Sequence, residues 1–172
     1  MRLKIVAGLL LAAVLTLSGC AASGSITESG SRSGAGAVSA GAVSLKFTGE
    51  DIDGAPYDGE QLADKPTVLW FWAPWCPTCR AQAGGVETLA QEYAGRVNVV
   101  GVGGLADPAD IRDFARQVEG PMHLVDEDGE IWRHFDVTAQ STYVVLDADG
   151  AVVSEGYLDD DALADQVAEL VG

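Results

Sequence analysis

The chain predicts an α/β fold, a central mixed β-sheet with helices on both faces, and three observations carry that prediction. Continuous apolar runs at Thr67–Trp72 and at 97–102 are too short for helices and suit strands buried on both faces. Each run is followed by a segment of helical periodicity, which alternates strand and helix. A hairpin pattern around "DADG" at 147–150 then precedes a last amphipathic stretch. At 172 residues, 48% hydrophobic and 21% charged, the chain holds one ordinary domain plus accessory segments, with no internal repeat.

Taken in order, residues 45–48 form a short strand candidate, followed by turn chemistry at Asp53-Gly54 and Tyr57-Asp58-Gly59. Thr67–Trp72 is the first central strand. A helix is expected over 76–93, where Val86, Leu89, Ala90 and Tyr93 recur at helical spacing. After the strand at 97–102, "ADPADIRDFARQVEG" places a proline near its start and Gly120 at its end, as a helix should. A short strand at 122–125, a short helix at 129–135 and strands at 142–146 and 151–155 follow. The helix expected at 159–171 sets Leu163, Val167 and Leu170 on one face.

The domain organisation has three parts. Residues 1–19 read as an export signal, with Arg2 and Lys4 ahead of an apolar stretch too short to span a membrane comfortably. Its end, Leu17-Ser18-Gly19-Cys20, resembles the lipobox of bacterial lipoproteins, which implies lipidation of Cys20 and a membrane anchor on the extracytoplasmic face. Residues 20–43, mostly Ala, Gly and Ser, suit a flexible tether, and residues 44–172 the folded domain. Acidic residues outnumber basic ones 26 to 10, a net charge of -16, which argues against nucleic acid as a partner.

The chemistry concentrates in "WAPWCPTCRAQA". With Cys20 lipidated, Cys76 and Cys79 are the remaining pair, and outside the cytoplasm a disulfide between them can persist. Cys76 follows a buried strand and opens a helix, where unpaired backbone N–H groups and the helix dipole favour a thiolate. Cys79, one turn later, is placed to resolve a mixed disulfide on Cys76. Pro77 fits the first helical turn at little cost. A zinc site is disfavoured because ten residues separate His123 from His134, so no metal is expected. A purely structural staple is disfavoured because so short a loop constrains the unfolded chain least.

The stretch "FTGEDIDGAPYDGEQLADKPTVLWFWAPWCPTCRAQA", with "DEDGEIWRHFDVTAQSTYVVLDADG", resembles the thioredoxin superfamily, nearest to its TlpA-like tethered reductases and the secreted Dsb-type proteins of actinobacteria. The resemblance covers roughly residues 45 to 171. It implies a thioredoxin fold, Cys76 as an exposed nucleophile and Cys79 as a buried resolving thiol. Trp75, Pro77, Thr78 and Arg80 would flank the site, and Gln140 and Ser141 would lie beside Cys76 to receive a partner peptide.

Three departures from the family pattern stand out. Trp70 occupies the place of the buried Asp that thioredoxins carry before the motif, so proton transfer is expected through water or another carboxylate. Gln82 and Gly84 replace a Glu and a helix-kinking Pro, and Gly84-Gly85 is expected to mark a bend in the helix. Ser141 replaces the proline that the family places opposite the cysteines, and the Gln140–Ser141 bond is therefore expected to be trans or mixed. Trp70, Phe71, Trp132 and Phe135 read as core or groove lining, and His123 and His134 as partly exposed.

The function expected is a membrane-anchored extracytoplasmic thiol-disulfide oxidoreductase without a cofactor. Its partners would be exported client proteins with thiols or disulfides and a membrane redox partner. Oxidation and reduction both remain open, with the actinobacterial resemblance leaning to oxidation. The alternative is a copper-handling or other binding lipoprotein on the same fold, against which the two-residue cysteine spacing counts. A peroxiredoxin would need Thr where Ala73 stands.

Overall fold

The computed structural model describes residues 43–172, so the expected export signal, Cys20 and nearly all of the expected tether lie outside the described residues. Within them, seven strands form one sheet in the order β2-β1-β5-β4-β3-β6-β7. The strands are β1 (Thr48–Asp51), β2 (Pro56–Asp58), β3 (Thr67–Trp72), β4 (Asn98–Gly104), β5 (Met122–Asp126), β6 (Thr142–Leu146) and β7 (Val152–Gly156). The helices are α1 (Pro77–Glu92), α2 (Pro108–Ala115), α3 (Glu130–His134) and α4 (Asp160–Val171). The sheet is mixed: β3, β4 and β5 are parallel, and the remaining pairings are antiparallel.

Every residue of β3 is buried, because alternate side chains feed two separate cores. Val68, Trp70 and Trp72 pack on one face with Val86 and Leu89 of α1, Ile111 and Phe114 of α2 and Leu163 and Val167 of α4. Leu69 and Phe71 pack on the other with Ile131 and Trp132 of α3 and with Phe47, Phe135 and Val137. The first face is crowded by indoles, and β4 makes room with glycine. A Cβ on Gly103 would stand 2.7 Å from Trp72 Cζ2 and 2.5 Å from Ile111 Cγ2, closer than side chains approach.

The expected strand at 45–48 begins later, at Thr48, where antiparallel pairing with β2 and β5 becomes available. Tyr57 and Asp58 belong to β2 instead of a turn, and a 3-10 helix, Gly59–Leu62, follows with Asp58 capping it by accepting from the Glu60 N–H. The helix expected over 106–120 spans Pro108–Ala115, and the chain leaves it through turns to Gly120, whose φ is +106°. Glycines 84 and 85 do not interrupt α1, which runs through them without a break. Gly85 serves an approach instead: a Cβ there would meet the Asp160 carboxylate at the start of α4 at 2.5 Å, while Gly84 faces open space.

The antiparallel β6–β7 hairpin carries a register shift at Val145/Leu146, where β7 supplies one extra residue, Val153.

Candidate active site

The parallel strand β3 delivers the chain to the helix start, as β-to-α junctions do. Cys76 is the N-cap residue of α1 with extended backbone, Pro77 takes the first helical position, and the Cys79 N–H donates to Cys76 Sγ at 3.4 Å. A helix-end donor therefore points at the sulfur, where negative charge would be stabilised. Both cysteines are free thiols.

Burial corrects one expectation. Cys76 is only 6% exposed and Cys79 wholly buried, so the nucleophile expected to be exposed is recessed. The cause is its membership of the indole-rich core, which it shares with Ala73 and Trp72. Burial pushes the Cys79 thiol up to about 12, reinforced by its interaction with Cys76 and opposed by the nearby Ala73 backbone and Ser141 hydroxyl.

The flanking residues divide by role. Trp75 is 56% exposed beside the sulfur, and its indole N–H donates to the Leu105 carbonyl at 2.9 Å. Leu105, also exposed, has a left-handed backbone with φ +57° that turns this carbonyl toward the indole. Pro77 and Thr78 are exposed. Arg80 engages the loop itself: its Nε donates to the Pro74 carbonyl at 2.8 Å and its guanidinium lies 5.0 Å over the Phe114 ring. A shallow groove of about 240 Å³ is lined by Pro74, Trp75, Arg80 and Phe114 together with Asp110, Asp113 and Gln117.

Opposite the motif, Ser141 reaches α1 directly. Its hydroxyl donates to Gln82 Oε1, and the Trp70 indole N–H is shared between Gln82 Oε1 at 3.1 Å and Ser141 Oγ at 3.3 Å. Gln82 Nε2 in turn donates to the Leu158 carbonyl at 3.2 Å. Gln82 is buried, and with its amide oxygen accepting two bonds and its nitrogen donating one it binds the site together although it cannot ionise. Its structural weight was invisible in the sequence beyond its being a departure from Glu.

The Gln140–Ser141 peptide bond is cis, not trans or mixed as expected. The intrinsic preference of a bond before serine is overridden by contacts on both sides. Ser141 is tied to Gln82 and Trp70, Thr142 pairs with Phe71, and Thr142 Oγ1 donates to the Ala139 carbonyl at 2.7 Å.

The histidines stand apart from the cysteines. His123, expected to be partly exposed, is buried against Trp72 with ring centroids 5.8 Å apart, and its Nε2 donates to the Val118 carbonyl at 3.1 Å. His134 stacks near Phe47 and Phe135 and bonds the Ser44 carbonyl. No group of three metal-ligating side chains exists among the described residues, and no helix there is long and apolar enough to cross a membrane.

Comparison with known proteins agrees with this architecture. The Redoxin family model matches residues 39–170. The soluble secreted antigen MPT53 of Mycobacterium bovis is 39% identical over 107 residues, spanning 62% of this chain and 61% of the antigen. MTB dsbF superimposes with a TM-score of 0.69 at 38% identity, covering 73% of this chain and 96% of that one. A secreted Mycobacterium tuberculosis disulfide oxidoreductase homologous to E. coli DsbE does so with a TM-score of 0.68 at 36% identity, covering 73% and 97%. With sheet order, helix placement and family model in agreement, this chain belongs to the Redoxin family, within the thioredoxin superfamily.

Proposed function

We propose that the protein is a thiol-disulfide oxidoreductase that exchanges disulfides with exported client proteins, held at the extracytoplasmic face of the cell membrane by a lipid on Cys20. The observation that carries the reading is the Cys79 N–H aimed at Cys76 Sγ at the start of α1. An anionic sulfur there attacks a client disulfide, expelling one client sulfur as a thiolate and leaving a mixed disulfide. Cys79, buried directly behind, then attacks Cys76 Sγ; the client leaves with both sulfurs reduced, and the pair is oxidised. The reverse sequence oxidises a client dithiol. Trp75 and the groove it shares with Pro74, Phe114 and the charged Arg80, Asp110 and Asp113 offer the client a mixed apolar and polar seat, and Gln140 and Ser141 complete the reading as residues that receive the client peptide.

Secreted relatives support an extracytoplasmic site of action. So does a pneumococcal exposed lipoprotein thioredoxin, Etrx1, 25% identical with a TM-score of 0.64. The test has two arms. Wild-type protein is expected to catalyse insulin disulfide reduction or the oxidation of a reduced peptide, and Cys76→Ser to abolish both; activity persisting in Cys76→Ser overturns the reading. In cells, a palmitate analogue is expected to label the wild type and not Cys20→Ala, and equal labelling overturns the anchor.

A further inference from the structure

We propose that the Ser141 hydroxyl is a switchable hydrogen-bond donor that turns from Gln82 to the Cys79 sulfur when Cys79 ionises, and so promotes the resolving step. This rests on the disulfide-exchange reading above and deepens it.

The geometry supplies the switch. Gln82 lies one turn beyond Cys79 on α1, so a hydroxyl bonded to Gln82 Oε1 stands beside the turn that carries the resolving sulfur. Ser141 places a hydroxyl at a position where a proline could donate nothing. Rotating it away strands neither partner: Gln82 Oε1 keeps the Trp70 indole N–H at 3.1 Å, and Ser141 Oγ keeps the same N–H as its own donor at 3.3 Å. Trp70, at the place where thioredoxins keep an acid, acts as a fixed donor that positions both acceptors.

The need for such a donor comes from the surroundings of Cys79. The titratable and charged groups facing it are Cys76 at the same helix end and Tyr143 on β6, with Asp160 of α4 and Tyr157 interacting with Tyr143 in turn. Strands β3 and β4 present no ionisable side chain. No cation therefore offsets the burial that holds Cys79 protonated, whereas a hydrogen bond from Ser141 acts in the opposite direction. In the step itself, the Cys79 proton passes to water, its thiolate pair forms the bond to Cys76 Sγ, and the sulfur leaving Cys76 takes the bonding pair.

An aromatic disulfide, 5,5'-dithiobis(2-nitrobenzoate), reads the two steps separately. Attack by Cys76 releases the first thionitrobenzoate and resolution by Cys79 the second, followed by stopped-flow absorbance from pH 5 to pH 10. In Ser141→Ala, the second-phase rate relative to the first is expected to fall about tenfold at neutral pH, the worth of a hydrogen bond to a charged group. Its half-maximal pH should move up by about one unit. Ser141→Pro should track Ser141→Ala, and Ser141→Thr, which keeps the hydroxyl, should restore the wild-type profile. A wild-type second phase in Ser141→Ala overturns the donor, as does equal slowing in Ser141→Thr. Absence of both phases in the wild type would instead overturn disulfide exchange itself, and this inference with it.

Discussion

Two segments meet at the cysteines, and they are built on opposite plans. In the segment from Trp72 to Arg80 the nucleophile is placed locally, by a strand end, an N-cap and Pro77, with Arg80 donating back to Pro74; only the flanking Trp75 and Arg80 side chains reach farther, to Leu105 and Phe114. The approach to β6, from Ala139 to Thr142, is held from afar, with Ser141 bonded to Gln82 across 59 positions of chain and to Trp70 across 71. The difference teaches that Cys76 is placed wherever this strand and helix form, while the approach to β6 is fixed only when the sheet and α1 have already packed.

Trp70→Ala breaks that comparison most severely. It empties a fully buried indole and removes the N–H shared by Gln82 and Ser141, so about 3–5 kcal/mol of stability should be lost. Urea denaturation checks the loss, and amide exchange should show the β6 approach deprotected before the first turn of α1.

A pH titration sharpens it next. Cys79, raised by burial from its ordinary 9.0 to about 12, binds its proton more tightly folded than unfolded. Its contribution is therefore whole below about pH 9 and is lost as pH climbs toward 12. The reduced protein should lose melting temperature over that window relative to the oxidised protein, which has no thiol at 79; parallel curves would contradict the burial argument.

The smallest effect separates the two glycines of α1. Gly84→Ala, pointing to open space, should stabilise by about 1 kcal/mol through helix propensity. Gly85→Ala gains the same propensity but must displace the Asp160 carboxylate, so its net change should be smaller. Thermal melts of both variants decide it, and an equal gain would show that the approach of α4 costs nothing to move.

Legibility followed the same division. β3 was readable residue for residue because six consecutive buried side chains leave an unbroken apolar run, and the start of α1 because its N-cap and Pro77 lie in the motif. The strand and helix after it differed only at their ends. What stayed hidden was set by distant contacts: the cis bond at Ser141, the burial of Gln82 and His123, and the Leu105 carbonyl that fixes Trp75. β2 was hidden for another reason, since a three-residue strand containing a proline carries almost no periodic signal.

Both margins of the sheet are poor templates for recruiting another chain. One ends in β2, three residues long, where Pro56 offers no N–H; the other ends in β7, whose extra Val153 and flanking Ser154 and Glu155 interrupt a flat ladder. Neither margin invites strand-to-strand joining between copies of this domain, which suits the proposed exchange of disulfides with other proteins better than self-pairing of backbones would.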